Sequence, residues 1–155
     1  MLSFRFATEK DIHLYFQWAN DETTRKNSYN SDPISFENHI KWFEKRLNND
    51  FCKMYLFFDE KGDSVGQVRI ETDQEKNEAL IGISVDLNHR GKGYSSEMIQ
   101  MATNDFLTTH HGFCIYANVF VENIPSYKSF LKAGYILLEQ KEIVSIPSYI
   151  LIKKI

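Results

Sequence analysis

Few features divide this chain of 155 residues into parts. Proline occurs three times and glycine seven, and nowhere do they gather with serine into a linker, so residues 1–155 read as a single domain. Cysteine is as sparse. Cys52 and Cys114 stand far apart, form no C-x-x-C pair and lie inside apolar runs, which predicts reduced, buried thiols and a cytoplasmic protein. A basic excess is also missing: 18 Lys and Arg face 21 Asp and Glu, the net charge is −3, and the cations are scattered. That balance argues against nucleic acid or a membrane surface as a partner. The opening MLSFRFATEKD lacks a charged start followed by an apolar block, and the longest dense apolar run, MYLFF, is far too short to span a bilayer. A secreted or membrane-embedded chain is therefore not expected. No repeat or low-complexity tract occurs.

What is present is material for a core and a lined pocket, with 43% apolar and 14% aromatic residues. LSFRFAT alternates as a strand does, and Thr8 with Asp11 forms an N-cap pair ahead of a helix marked by Ile12, Tyr15, Phe16 and Ala19. A polar stretch, NDETTRKNSYNSDP, leads to Ser35, which caps a second helix marked by Phe36, Ile40, Phe43 and Leu47. FCKMYLFFDE, SVGQVRIET and EALIGISVD are then three strands joined by short turns, hence antiparallel. A helix carrying Met98, Ala102 and Phe106, the strand GFCIYANVFV, a helix ending at Gly134 and two final strands complete the order β-α-α-β-β-β-α-β-α-β-β. This predicts an α/β layered domain, a mixed and mostly antiparallel sheet with helices on both faces.

Between the third of those strands and the next helix stands HRGKGYSSEM. The first amides of a helix have no intrahelical partners and, with the helix dipole, suit an anion. Gly91 and Gly93 allow positive φ and keep Cβ atoms out of a phosphate's way, Arg90 and Lys92 add countercharge, and Ser95 adds a hydroxyl. A strained surface turn with solvated cations would use the same residues. Neither the P-loop pattern nor the dinucleotide fingerprint fits, since Ser96 stands where the latter needs its third glycine.

VDLNHRGKGYSSEMI resembles the acetyl-CoA signature of the GNAT acetyltransferases, R-x-x-G-x-G/A after the fourth strand, with Arg90, Gly93 and Ser95 in the motif places and Ser95 where Gly or Ala is usual. VENIPSYKSFLKAGY is similar to the family's N-x-x-A-x-x-x-Y-x-x-x-G-F segment, with Asn123, Gly134 and Tyr135 in register. The resemblance implies a sheet splayed between strands 4 and 5 and acetyl-CoA as cosubstrate. It further implies that Arg90, Gly91, Lys92, Gly93, Tyr94 and Ser95 hold the pyrophosphate, that Ile83, Ser84 and Val85 pair with the pantetheine arm, and that Asn123, Ser126 and Phe130 lie near the thioester. Asn123 also fits a plain helix N-cap.

The chain departs from the family twice. Phe130 stands where a tyrosine acid is frequent, and Leu80 where many relatives carry a glutamate base. A thiol with a pKa of about 8.5 leaves without much acid assistance, and an amine less basic than lysine is already partly neutral near pH 7. Glu71, on one strand face with Gln67 and Arg69, and Tyr127 are replacement candidates for moving protons. The histidines show no metal-ligand spacing, so no metal site is expected.

The segment from Trp18 to Phe43, with GQVRI, resembles a branch of the family acting on amino sugars carried on nucleotides. Trp18, Asn27, Ser28, Tyr29, Asn30, Gln67 and Arg69 are the acceptor-site candidates. The expected protein is an N-acetyltransferase that acts on a small amine by direct attack in a ternary complex, as a monomer or homodimer. Acetylation of a peptide or ribosomal-protein α-amine, or a coenzyme-binding sensor without turnover, would use the same donor motif.

Overall fold

The computed structural model describes residues 1–154. Seven strands form one sheet: β1 (Ser3–Phe6), β2 (Cys52–Phe58), β3 (Ser64–Asp73), β4 (Glu78–Val85), β5 (Cys114–Phe120), β6 (Ile136–Ile143) and β7 (Ile146–Lys153). Their order across the sheet is β1-β2-β3-β4-β5-β7-β6. All neighbours are antiparallel except β4 and β5.

The helices are α1 (Ile12–Ala19), α2 (Glu22–Lys26), α3 (Phe36–Leu47), α4 (Tyr94–Thr109) and α5 (Ile124–Lys132). α2 was not expected from the sequence. It is five residues long, capped by Asp21 accepting from the Thr24 amide, and it buries no side chain, so apolar periodicity could not mark it. The Thr8–Asp11 pair does form a capping box, although it opens a short 3-10 turn ahead of α1. α5 ends as expected at Gly134, with the Tyr135 and Gly134 amides donating to Phe130 and Leu131 carbonyls.

β2 shows why the sheet needs helices on both faces. Successive side chains on a strand point to opposite sides, and in β2 both sides are buried. Met54 and Leu56 pack with Tyr15, Trp18 and Phe43 of α1 and α3. Tyr55 and Phe57 face the larger core, where Met98, Ile99, Ala102 and Phe106 of α4 meet Val68, Ile70 and Ile81. Cys52 and Cys114 are free thiols but half-buried, not buried as the sequence predicted. Burial still pushes the Cys52 thiol up to about 11. No helix among the described residues is long and apolar enough to cross a membrane.

The feature that positions the site is the meeting of β4 and β5. They pair only where Glu78, Ala79 and Leu80 face Cys114, Ile115 and Tyr116. Beyond Leu80 the strands part, β5 staying with β7 and β4 with β3. The main chain from Ile81 to Val85 therefore turns one edge to an open wedge.

Candidate active site

The wedge widens into a cleft of about 1160 Å³. Its rear wall is β4, its end is the turn before α4, and its opposite side is α5 with Asn118 and Phe120 of β5. Its front is built by α1, α2 and the 27–34 loop.

At the turn, Gly91 and Gly93 both have φ +77, and an added Cβ would meet nothing within 4 Å at either. The glycines thus line open space with left-handed backbone, where a side chain would intrude. Gly93 caps α4 without any side-chain hydrogen bond to the helix, which leaves the first amides of α4 for a ligand. The Arg90 side chain does something other than the countercharge role expected of it. Its Nη2 donates to Asp21 at 2.6 Å and its Nε to the Val85 carbonyl at 3.1 Å. It fastens the turn to α2 and β4, so that the backbone amides and the α4 dipole remain as the groups suited to an anion. Burial raises the Asp21 carboxyl, but hydrogen bonds from Arg90 and the Thr24 amide outweigh it and hold the group below the ordinary carboxylate value. Lys92 is exposed and lies outside the cleft lining, whereas Gly91, Gly93, Tyr94 and Ser95 line it.

Along the rear wall, Ile83, Ser84 and Val85 line the cleft with no strand on that side, the arrangement an extended ligand arm needs in order to add as a strand. Asn123, Ser126 and Phe130 line the facing side. Phe130 is buried against Tyr135 with ring centres 5.1 Å apart, so its position is a packing site. The open glycine turn, uncapped helix start and free strand edge fit an acetyl-CoA molecule.

All seven acceptor-site candidates line the same cleft: Trp18, Asn27, Ser28, Tyr29, Asn30, Gln67 and Arg69. Trp18 is almost fully buried, and its Nε1 donates to Asp86 at 2.8 Å, so it supports the wall and cannot stack broadly on a ring. Tyr29 packs edge-on over Phe120 and shares a 2.7 Å hydrogen bond with Ser148, tying the loop to β5 and β7. Arg25 knits that loop from within. Its Nη1 donates to the Asn30 and Asp32 carbonyls and its Nη2 to the Ser28 hydroxyl. Only the fold reveals this, because the partners are carbonyls of a loop with no periodic pattern.

Among the described residues, three buried side-chain polar atoms have no hydrogen-bond partner: the Tyr15 hydroxyl, Arg25 Nε and Gln67 Oε1. All three residues line this cleft. Leaving such a group dry and unpaired costs about 1–3 kcal/mol.

The proton-transfer candidates lie elsewhere. Glu71 is absent from the cleft lining and opens on an adjoining groove with Thr72, Asp73 and Glu139. Its Oε1 accepts from Arg69 Nε at 2.8 Å and Arg46 Nε at 3.0 Å, while both guanidinium groups stack on Trp42. Glu71 Oε1 is thus taken up by two guanidinium groups. Tyr127 packs on Tyr149 with ring centres 4.3 Å apart, also outside the cleft lining. The histidine spacing predicted no metal site, yet the fold brings His89 beside Asp59 and Asp63, with ligand atoms within 4.8 Å of one another. Asp59 Oδ1 already accepts from the Lys61 and Asp63 amides.

A mixed sheet splayed beside a glycine turn, with a cleft along the free strand, defines an acyltransferase that uses a coenzyme thioester. Residues 2–136 match the family described as the acetyltransferase (GNAT) domain. The chain belongs to that family and is an N-acetyltransferase with acetyl-CoA as donor. No curated protein matches it. Among solved structures, a spermidine N-acetyltransferase from Vibrio cholerae in complex with CoA and spermine aligns with a TM-score of 0.85 at 17% identity, covering 98% of this chain and 94% of the other. A domain from Methanocaldococcus jannaschii aligns at 0.83 with 19% identity over 100% and 99% of the two chains. A provisionally assigned phosphinothricin N-acetyltransferase aligns at 0.80 with 22% identity over 99% and 98%.

Proposed function

We propose that the acceptor is a small primary amine that also carries an anionic group, an amino sugar on a nucleotide carrier. The observation that carries this reading is Arg25: half-buried in the cleft wall, its guanidinium has no carboxylate within ion-pair distance among the described residues, and its Nε is unpaired. With Arg69, whose one side-chain hydrogen bond among the described residues runs from Nε to Glu71, it adds positive charge to the acceptor side. The one carboxylate in the cleft lining is Asp32, on the exposed loop. A polycation such as spermidine would meet like charge here, whereas a phosphate or carboxylate would meet opposite charge.

Bound acetyl-CoA supplies the thioester carbonyl: the amine nitrogen bonds to its carbon, the C–S bond breaks and the thiol leaves. The chain's part is positioning. Gly91, Gly93 and the α4 amides hold the pyrophosphate, and Ile83, Ser84 and Val85 fix the arm. Gln67 donates to Ser84 from Nε2 and so steadies the wall beside the arm. Glu71 acts as a positioning residue, holding Arg69 against Trp42. With no tyrosine acid at Phe130 and no free carboxylate on the wall, the proton passes to water, and the amine must arrive neutral. The reading places the enzyme in the cytoplasm.

The test is thiol release from acetyl-CoA with a nucleotide-linked amino sugar, the free amino sugar, spermidine and an N-terminal peptide. The nucleotide-linked sugar should be fastest, and Arg25→Met should raise its KM about tenfold or more, the loss of one charge-assisted contact, with the acetyl-CoA KM unchanged. Faster turnover of spermidine or the peptide overturns the reading, and binding of acetyl-CoA without release for any amine favours a sensor.

A further inference from the structure

Attack on the thioester needs a neutral amine, yet among the described residues the one carboxylate lining the cleft is Asp32, on the exposed loop. A fixed charge can do the work of a base, because a cation beside an amine disfavours the ammonium form. The sheet holds such a cation where the wedge closes. Arg69 of β3 stands opposite Gly82 of β4, so both side-chain positions share one sheet face. The guanidinium lies across the place that a side chain at 82 would take, with Nη2 only 3.1 Å from where its Cβ would stand. A glycine there lets Arg69 reach over β4 into the cleft, which it lines.

Gly82 also marks the level of the reaction. β4 pairs with β5 as far as Leu80 and has a free edge beyond it. An extended arm that enters at the glycine turn and adds to Val85, Ser84 and Ile83 would bring its end to Gly82, since each strand residue advances about 3.3 Å. The attacking nitrogen would then meet the thioester beside the guanidinium.

The charge is held in place and only partly cancelled. Trp42 carries the Arg69 guanidinium at 5.2 Å from its ring centre and that of Arg46 at 4.4 Å. Glu71 accepts from the Nε of both and lies outside the cleft lining. Two guanidinium groups and one carboxylate leave one net positive charge, and Glu71 takes neither terminal nitrogen of Arg69. The titratable groups packed around this end from α1, β2 and α3 add no opposing charge. Burial pushes the Tyr15 hydroxyl and the Cys52 thiol up and His39 down, so each is neutral near pH 7. At the coenzyme turn, His89 and Arg90 are paired with Asp86 and Asp21, and Arg25 on α2 adds to the positive side.

We propose that Arg69 takes the place of the missing base: its fixed charge over Gly82 keeps the bound acceptor nitrogen unprotonated. The ammonium proton goes to water before the attack, and the freed lone pair bonds to the thioester carbon. The C–S bond breaks with its electron pair on sulfur, and the further proton that nitrogen sheds on becoming an amide balances the thiolate, which leaves as the thiol. The inference rests on acetyl transfer to an amine, not on which amine is the acceptor, and it leaves Arg25 to any anionic group the acceptor carries.

The dependence of kcat on pH reports ionisation in the bound complex. With the fastest of the four amines named above, the acid limb of the wild type should lie about one pH unit below the pKa of the free amine, and Arg69→Met or Arg69→Gln should return it to that pKa. Below the limb each neutral variant is then about tenfold slower, and above it variant and wild type converge, which a merely structural loss would not produce. Arg69→Lys keeps the charge and should keep the wild-type limb. Calorimetry adds a readout without turnover: with CoA bound, at a pH equal to the free amine's pKa, amine binding should release about 0.4 proton in the wild type and almost none in Arg69→Met. A wild-type limb at the free amine's pKa, neutral variants slowed equally at every pH, an Arg69→Lys that behaves as Arg69→Met, binding without proton release, or failure of all four amines to react each overturns the proposal. Which amine is fastest bears on the acceptor alone, because each of the four carries a basic nitrogen.

Discussion

At the scale of single residues, Gly93 joins backbone conformation to ligand space. Its φ of +77 is left-handed, and the space beyond its missing Cβ is open. In Gly93→Val the β-branched side chain would point into the anion site, and the left-handed backbone would cost about 1–2 kcal/mol. The expected result is loss of coenzyme binding by calorimetry with a circular dichroism spectrum close to wild type; retained affinity would remove the turn from the site. Gln67 illustrates the opposite trade. Its buried Oε1 has no partner in the protein alone, a destabilising arrangement that a bound polar ligand would relieve. Neither its burial nor its lack of a partner could be read from GQVRI.

At the scale of elements, three carboxylates fasten the front of the cleft. Asp11 holds Arg5 and accepts from the Thr8 amide in the capping box ahead of α1, Asp21 caps α2 and holds Arg90, and Asp86 accepts from Trp18 of α1 and pairs with His89. In each, burial raises the carboxyl, yet hydrogen bonds to arginine, indole or backbone amides more than offset it and hold the group below its ordinary value. A pKa lowered in the folded state stabilises above the unfolded value, about 4, and that stabilisation is lost as pH falls through the folded one. The melting temperature should therefore be level from about pH 7 to 5 and fall below about pH 4, and Asp21→Asn should lessen the fall. A melting temperature that does not decline in acid would contradict this. The β6–β7 turn shows a different economy. Val144 and Ser145 hold φ of 50 and 63, positions that suit asparagine and glycine, and Val144 borders the cleft.

At the scale of the whole molecule, two cores lie on opposite faces of one sheet. Met54 belongs to the smaller and Ile115 to the larger, three strand spacings away, about 14 Å. Met54→Ala should cost about 2–5 kcal/mol and Ile115→Val about 0.5–1.5. If the sheet unfolds as one unit, the double variant should equal their sum within about 0.5 kcal/mol in denaturant unfolding, with a single transition. Two transitions would show that the cores melt separately.

The order of strands and helices was legible because periods of 2 and 3.6 mark every element that buries a face. The left-handed glycine turn ahead of α4 was legible because its glycines and the helix start are contiguous in sequence. α2 escaped because it buries nothing. The distribution of the acceptor candidates was decided only in three dimensions. Glu71 and Gln67 share a strand face, but α3 supplies Arg46 to hold Glu71 while Gln67 stays in the cleft. The Arg90 side chain, adjacent to both glycines, is drawn to Asp21 from the other side of the cleft. The sequence by itself determined the architecture and the donor, since both rest on local patterns. Tertiary structure decided which side chains are free to act, because hydrogen bonds and ion pairs form between residues that sequence distance does not relate.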